Sequence, residues 1–173
     1  MIQNRAQPIY LMAIVLLLAL SRLIPHPPNA VPIAAMALFA GAFFANRWLA
    51  YAIPIAAMLI SDWLIGFHST IAYVYIGVVV TVLIGSGLKK INVIHVGLAA
   101  VIASLAFFFI TNFGAWLHHD LYTPNFNGLM QSYIAGLPFL RNALIANIIF
   151  SYLVFFGFSN LFANFSALNK SHT

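Results

Sequence analysis

Of 173 residues, 64% are hydrophobic and only 5% are charged, far below the roughly 25% charged residues of soluble domains, so the composition defines an integral membrane protein. Seven basic against two acidic residues give a formal charge of +5; scattered singly, they read as orientation signals, and no nucleic acid is expected as a partner. The absence of cysteine excludes disulfides, thiolate metal sites, cysteine nucleophiles and iron–sulfur clusters.

In chain order, the apolar runs predict an all-α integral membrane six-helix bundle with spans at 8–24, 30–46, 48–67, 70–88, 92–118 and 141–165, because about 20 helical residues cross a hydrocarbon core of roughly 30 Å. The first run ends in "SRLIPHPPNA" without a small-residue cleavage site and reads as a retained helix. The second, "NAVPIAAMALFAGAFFAN", is short, which suits a position inside the bundle. The third carries Pro54, which predicts either a kink or an interfacial start at residues 48–51. "PIAAM" occurs at 32–36 and again at 54–58. Ala30, Ala34, Ala37 and Gly41 extend a small-residue face along the second helix, suited to close helix packing or to docking another protein's helix. After the fifth run, Gly136 and Pro138 interrupt the pattern, so 119–140 reads as an outer, lid-like or re-entrant segment, or as a packed loop. Ala143, Asn147 and Ser151 then recur every fourth residue and should face other helices.

With the N-terminus inside, the inner ends receive Arg5, Arg47, Lys89, Lys90 and Lys170, and the outer ends Arg22 and Arg141. The bias predicts both termini in the cytoplasm. The same sorting gathers His26, Asp62, His68, His118, His119 and Asp120 at the outer end with the two arginines.

Within that group Asp62 is the costliest, since an aspartate at mid-bilayer is unfavourable by about 2.5–3.5 kcal/mol. It should pair with Arg22 or Arg141, as the floor of a solute pocket, as a structural pin, or as both. Asn112, Trp116 and His119 stand at i, i+4 and i+7 of "NFGAWLHH". They offer an amide, an indole and an imidazole on one face, suited to a planar polar ligand or to an interfacial belt. Adjacent His118 and His119 point about 100° apart on a helix and cannot share one ion; without a glutamate no H-E-x-x-H motif exists. No resident metal or cofactor is expected, although a site assembled across loops from His26, His68 and His118 or His119 stays open. Two aspartates with no cysteine or glutamate leave little acid–base equipment for an enzyme.

The blocks "RLIPHPPNAVPIAAMALFAGAFF", "AMLISDWLIGFH", "FFFITNFGAWL" and "AGLPFLRNALIAN" resemble a poorly characterised family of small six-helix bacterial membrane proteins. That family is similar in size and topology to the substrate-binding S-components of energy-coupling-factor vitamin transporters. The resemblance implies an S-component-like bundle in the bacterial inner membrane, with both termini cytoplasmic and a ligand site near the outer face. The implied site positions are Arg22, His26, Asn29, Asp62, His68, Asn112, Trp116, Arg141 and Asn142, beside His119 from the helix-face reading. It further implies a vitamin-like solute and an energising partner, a coupling protein with its ATPases, docking on the Ala30, Ala34, Ala37 and Gly41 face. Asn147 stands where the pattern leads one to expect an acid, which implies a less cationic solute. The alanine face falls on the second helix, whereas S-components carry it on the first. The alternative reading is an auxiliary subunit of a larger membrane complex, in which the small-residue faces are interfaces.

Overall fold

A computed structural model describes residues 8–118 and 121–170, with side-chain environments up to residue 158. It is all-helical among the described residues: α1 (Pro8–Leu20) runs into a single 3-10 turn (Ser21–Leu23), and α2 (Ile33–Phe43), α3 (Arg47–Ile65), α4 (Ile71–Ser86), α5 (Val93–His118) and α6 (Phe126–Lys170) follow. Three helices are long and apolar enough to cross a membrane: Arg47–Ile65, Val93–His118 and Phe126–Phe158. The apolar helices Ile9–Leu23, Ile33–Phe43 and Ile71–Ser86 are shorter.

α2 is the axis of the fold. Its residues are apolar on all sides, as expected of a helix that no solvent touches, and Ala34 through Gly41 are all buried. It packs against each of the other five helices. Eleven residues rise only about 17 Å, so α2 is an internal pillar rather than a full-length span.

The small-residue face of α2 is spent inside the chain. Ala34, Ala37 and Gly41 are buried, and a Cβ at Gly41 would strike the Val82 carbonyl oxygen of α4. Gly85 repeats the contact from the α4 side, against the Leu38 carbonyl of α2. At Ala34, Ala37 and Gly41 the face expected to dock a partner helix is taken up by packing inside the chain, and Ala30, in the connector, is half-buried.

A second correction concerns 119–140. From Phe126 onward this segment is the first part of α6, which continues through Gly136 and Pro138 without a break. Asn125 starts the helix by accepting from the Gly128 N–H at 2.9 Å, the reciprocal of an orphan donor in the first turn. Gly136 presses against Asn112 and Phe108 of α5, and the exposed ring of Pro138 points away from the bundle. Packing on α5 thus holds helical a stretch that the isolated sequence would break. In α3, Pro54 is buried inside the helix, which begins at Arg47 under the Asn46 side chain, bonded to Trp48 N at 2.9 Å.

The two ends of the bundle differ. At the end where α2 finishes, Phe39, Phe43, Phe155 and Phe158 close the interior through edge and tilted ring contacts with centroids 4.7–5.8 Å apart. Their quadrupoles favour such geometry over flat stacking. At the opposite end lie the 21–32 connector, the α3–α4 turn and the α5–α6 turn, where the cavities described next are found.

Candidate functional site

The connector is fixed by proline and by one left-handed residue. Ala30 N–H donates to the Pro27 carbonyl at 3.0 Å, and Asn29 adopts φ 58°, a conformation that asparagine tolerates better than most residues. Asn142 of α6 donates to the Pro28 carbonyl at 3.0 Å. The connector is therefore pinned to α6 across the top of α2.

Beneath it, the Arg22 Nη1 lies 2.7 Å from Asp62 Oδ1. The same nitrogen donates to Ser61 Oγ at 2.6 Å and faces the Met58 sulfur at 3.3 Å. Tyr75 of α4 donates to the other carboxylate oxygen at 2.9 Å. Asp62 is 1% exposed and Arg22 12%. An ionised carboxylate withstands such burial only when paired and hydrogen-bonded; Arg22 supplies the pairing charge at one oxygen and Tyr75 the hydrogen bond at the other. The expected Asp62 pairing is thus present, with Arg22 as the partner. Tyr75 went unnoticed in the sequence: it is one tyrosine in an apolar run, and only the α3–α4 packing brings its hydroxyl to Asp62.

Arg22 also lines a half-open cavity of about 370 Å³, together with His26, Asn29, His68, Thr70 and an apolar wall that includes Phe107. The His26 Nδ1–H donates to the Ile24 carbonyl at 2.6 Å, which leaves Nε2 for a ligand. His68 Nδ1 lies 3.0 Å from Thr70 Oγ1. Across Asn29 and Thr111 stands a second cavity of about 300 Å³, which adds Asn112, Tyr122, Gly136 and Phe139. A third, smaller space of about 50 Å³ again touches Asn29, Thr111 and Asn112 and reaches Ser104, Phe108 and Asn147. Asn29 and Thr111 therefore stand at the meeting point of all three spaces.

Asn147 serves the third space structurally as well. It donates to Ser104 Oγ at 3.0 Å and accepts from the Ala35 N–H at 3.3 Å. The α2 N-cap is Pro32, whose ring offers no hydrogen-bond acceptor, so an amide from α6 satisfies a donor that the first turn leaves orphaned.

Among the residues expected at the site, Arg22, His26, Asn29, His68 and Asn112 line these cavities, and Asp62 sits behind Arg22. Asn142 holds the connector instead. Trp116 lines none of the three; its indole N–H donates to the Thr123 carbonyl at 3.0 Å and braces the α5–α6 turn. Arg141 is exposed, among the exposed Leu137 and Ile145 of α6, and lines none of them either. His119 lies outside the described residues. His118 instead meets Tyr73, its Nε2 3.3 Å from the hydroxyl, and no three described His, Asp or Glu residues are placed to hold a metal ion.

With this geometry in view, the chain matches the model of a family described as "Family of unknown function (DUF6580)" over residues 2–168, and it belongs to that family. Neither a curated protein nor a solved structure matches it.

Proposed function

We propose that the protein is a substrate-capture subunit or small transporter of the bacterial inner membrane, taking up a micronutrient as a planar polar solute of vitamin-like size. The observation that carries this reading is the asymmetry of the interior. Three adjoining cavities, polar and apolar by turns, occupy one end of the bundle, while a phenylalanine cluster closes the other. Volumes of a few hundred Å³ with a few fixed polar groups suit a small ligand. A one-ended site suits capture better than free conduction.

In this reading all six helices belong to a multi-pass, S-component-like membrane bundle, with the shorter helices enclosed or extended by their connectors, and both termini are cytoplasmic. Trp48 and Trp63, exposed near opposite ends of α3, suit the two interfacial belts of such a span. The cavities then open outward. With no cysteine in the chain, single cysteines at Lys90 and Pro124 test the orientation. An impermeant maleimide applied to intact cells should label position 124 and spare position 90; the opposite pattern inverts the topology.

An energising partner, if one engages, must use a surface other than the buried α2 face. Native mass spectrometry of gently solubilised protein decides between capture and the auxiliary-subunit alternative. A retained small molecule, released when the connector is loosened by Asn142→Ala, is the expected result. A stoichiometric protein partner with no small ligand would establish the alternative, and a retained phospholipid alone would refute a solute site.

A further inference from the structure

We propose that the solute is an organic monocarboxylate, seated with its carboxylate on the free edge of Arg22 and its apolar body against Phe107. The proposal rests on the solute-capture reading and narrows it to a ligand class. All polar contacts of the Arg22 guanidinium among the described residues run through Nη1: hydrogen bonds to Ser61 and Met58, and the ion pair with Asp62. Nη2 and Nε keep three N–H donors without partners, in a residue that lines the 370 Å³ cavity. That pair of nitrogens forms the planar fork which grips a carboxylate through two parallel hydrogen bonds.

Asp62 prepares this fork rather than competing with the ligand. It lines none of the three cavities and is held from behind by Tyr75, so it fixes the guanidinium plane from the protein side. No described carboxylate faces the 370 Å³ cavity, which leaves a cationic solute without a counter-charge. The arginine and Asp62 cancel, so a bound monoanion brings the local sum to −1. A phosphate dianion would leave twice that excess. Beside Asn29, Thr70 and Thr111, the wall carries Val31, Ile33, Ile65, Val74 and Phe107, a hydrocarbon stretch that suits the body of an aromatic or branched acid.

The test uses 4-fluorobenzoate and 4-fluorobenzamide as matched probes, read by fluorine NMR on the protein in zwitterionic nanodiscs, with empty nanodiscs as the blank for partition. The acid should bind with a Kd of about 1 mM, at least about tenfold more tightly than the amide, since hydrogen bonds to a charged group carry that margin. The double variant Arg22→Gln/Asp62→Asn removes both charges together and should abolish the preference. Equal binding of acid and amide, or acid binding unchanged in the double variant, overturns the carboxylate assignment while leaving solute capture standing. Failure of both probes at about 10 mM also overturns it, and capture itself is then judged by the native mass spectrum.

Discussion

Asp62→Asn should cost the fold about 3–5 kcal/mol, because it strands the Arg22 guanidinium in a site built around a carboxylate. For a chain of this size that is a fall of roughly 10 °C in Tm, measured in detergent or nanodiscs. Arg22→Gln should cost a similar amount, leaving Asp62, 1% exposed, with Tyr75 as its remaining partner. The double variant Arg22→Gln/Asp62→Asn should recover a large part of either loss, since two neutral amide groups need no charge compensation. The difference between the double variant's loss and the sum of the two single losses is the coupling energy of the pair. Tyr75→Phe removes one hydrogen bond to a charged group and should cost less, about 1.5–3 kcal/mol. If Asp62→Asn left the melting temperature unchanged, the buried pair would not be what anchors the 3-10 turn to α3, and the preorganised fork proposed for Arg22 would lose its support.

Much of this arrangement was legible in the sequence, and the places where it was not share one cause. Burial cost alone predicts that Asp62 finds an arginine, and positive-inside sorting puts Arg22, His26 and His68 at one end. Local signals do not reveal which helix faces which. The small face of α2 reads equally well as an interface or as a packing seam until α4 is seen to offer Gly85 in return. Gly136 and Pro138 read as a break because propensity is a local quantity; in the fold, a Cβ at Gly136 would strike the Asn112 side chain, and its absence is what permits the helix to stay on α5. Trp116 was expected to face a ligand from its spacing with Asn112, yet its N–H is taken by a turn carbonyl seven residues on. Asn125 was a readable cap, and it would have placed the start of α6 correctly.

Gly41→Ala and Gly85→Ala should each destabilise the protein by about 3 kcal/mol, at the upper end of what overpacking costs. The obstacles are backbone atoms: around a Cβ at Gly41, Ser86 N at 2.9 Å and the Val82 carbonyl carbon at 3.0 Å; around one at Gly85, the Leu38 carbonyl carbon and Cα, each at 2.9 Å. Backbone cannot rotate aside as a flexible side chain would, so α2 and α4 must separate. The dispersion contacts along that seam, including those of Val78 and Val82, both fully buried, weaken together. Gly157→Ala supplies the opposite sign. A Cβ there meets nothing within 4 Å among the described residues, and the position lies inside α6, so alanine should stabilise by about 0.5–1 kcal/mol through helix propensity. Denaturant or thermal unfolding of the three variants in one detergent measures all of them. The outcome also separates packing from docking. A seam inside the chain makes Gly41→Ala and Gly85→Ala harmful to the isolated protein, whereas a docking face would leave its stability unchanged and show a loss only when a partner is added.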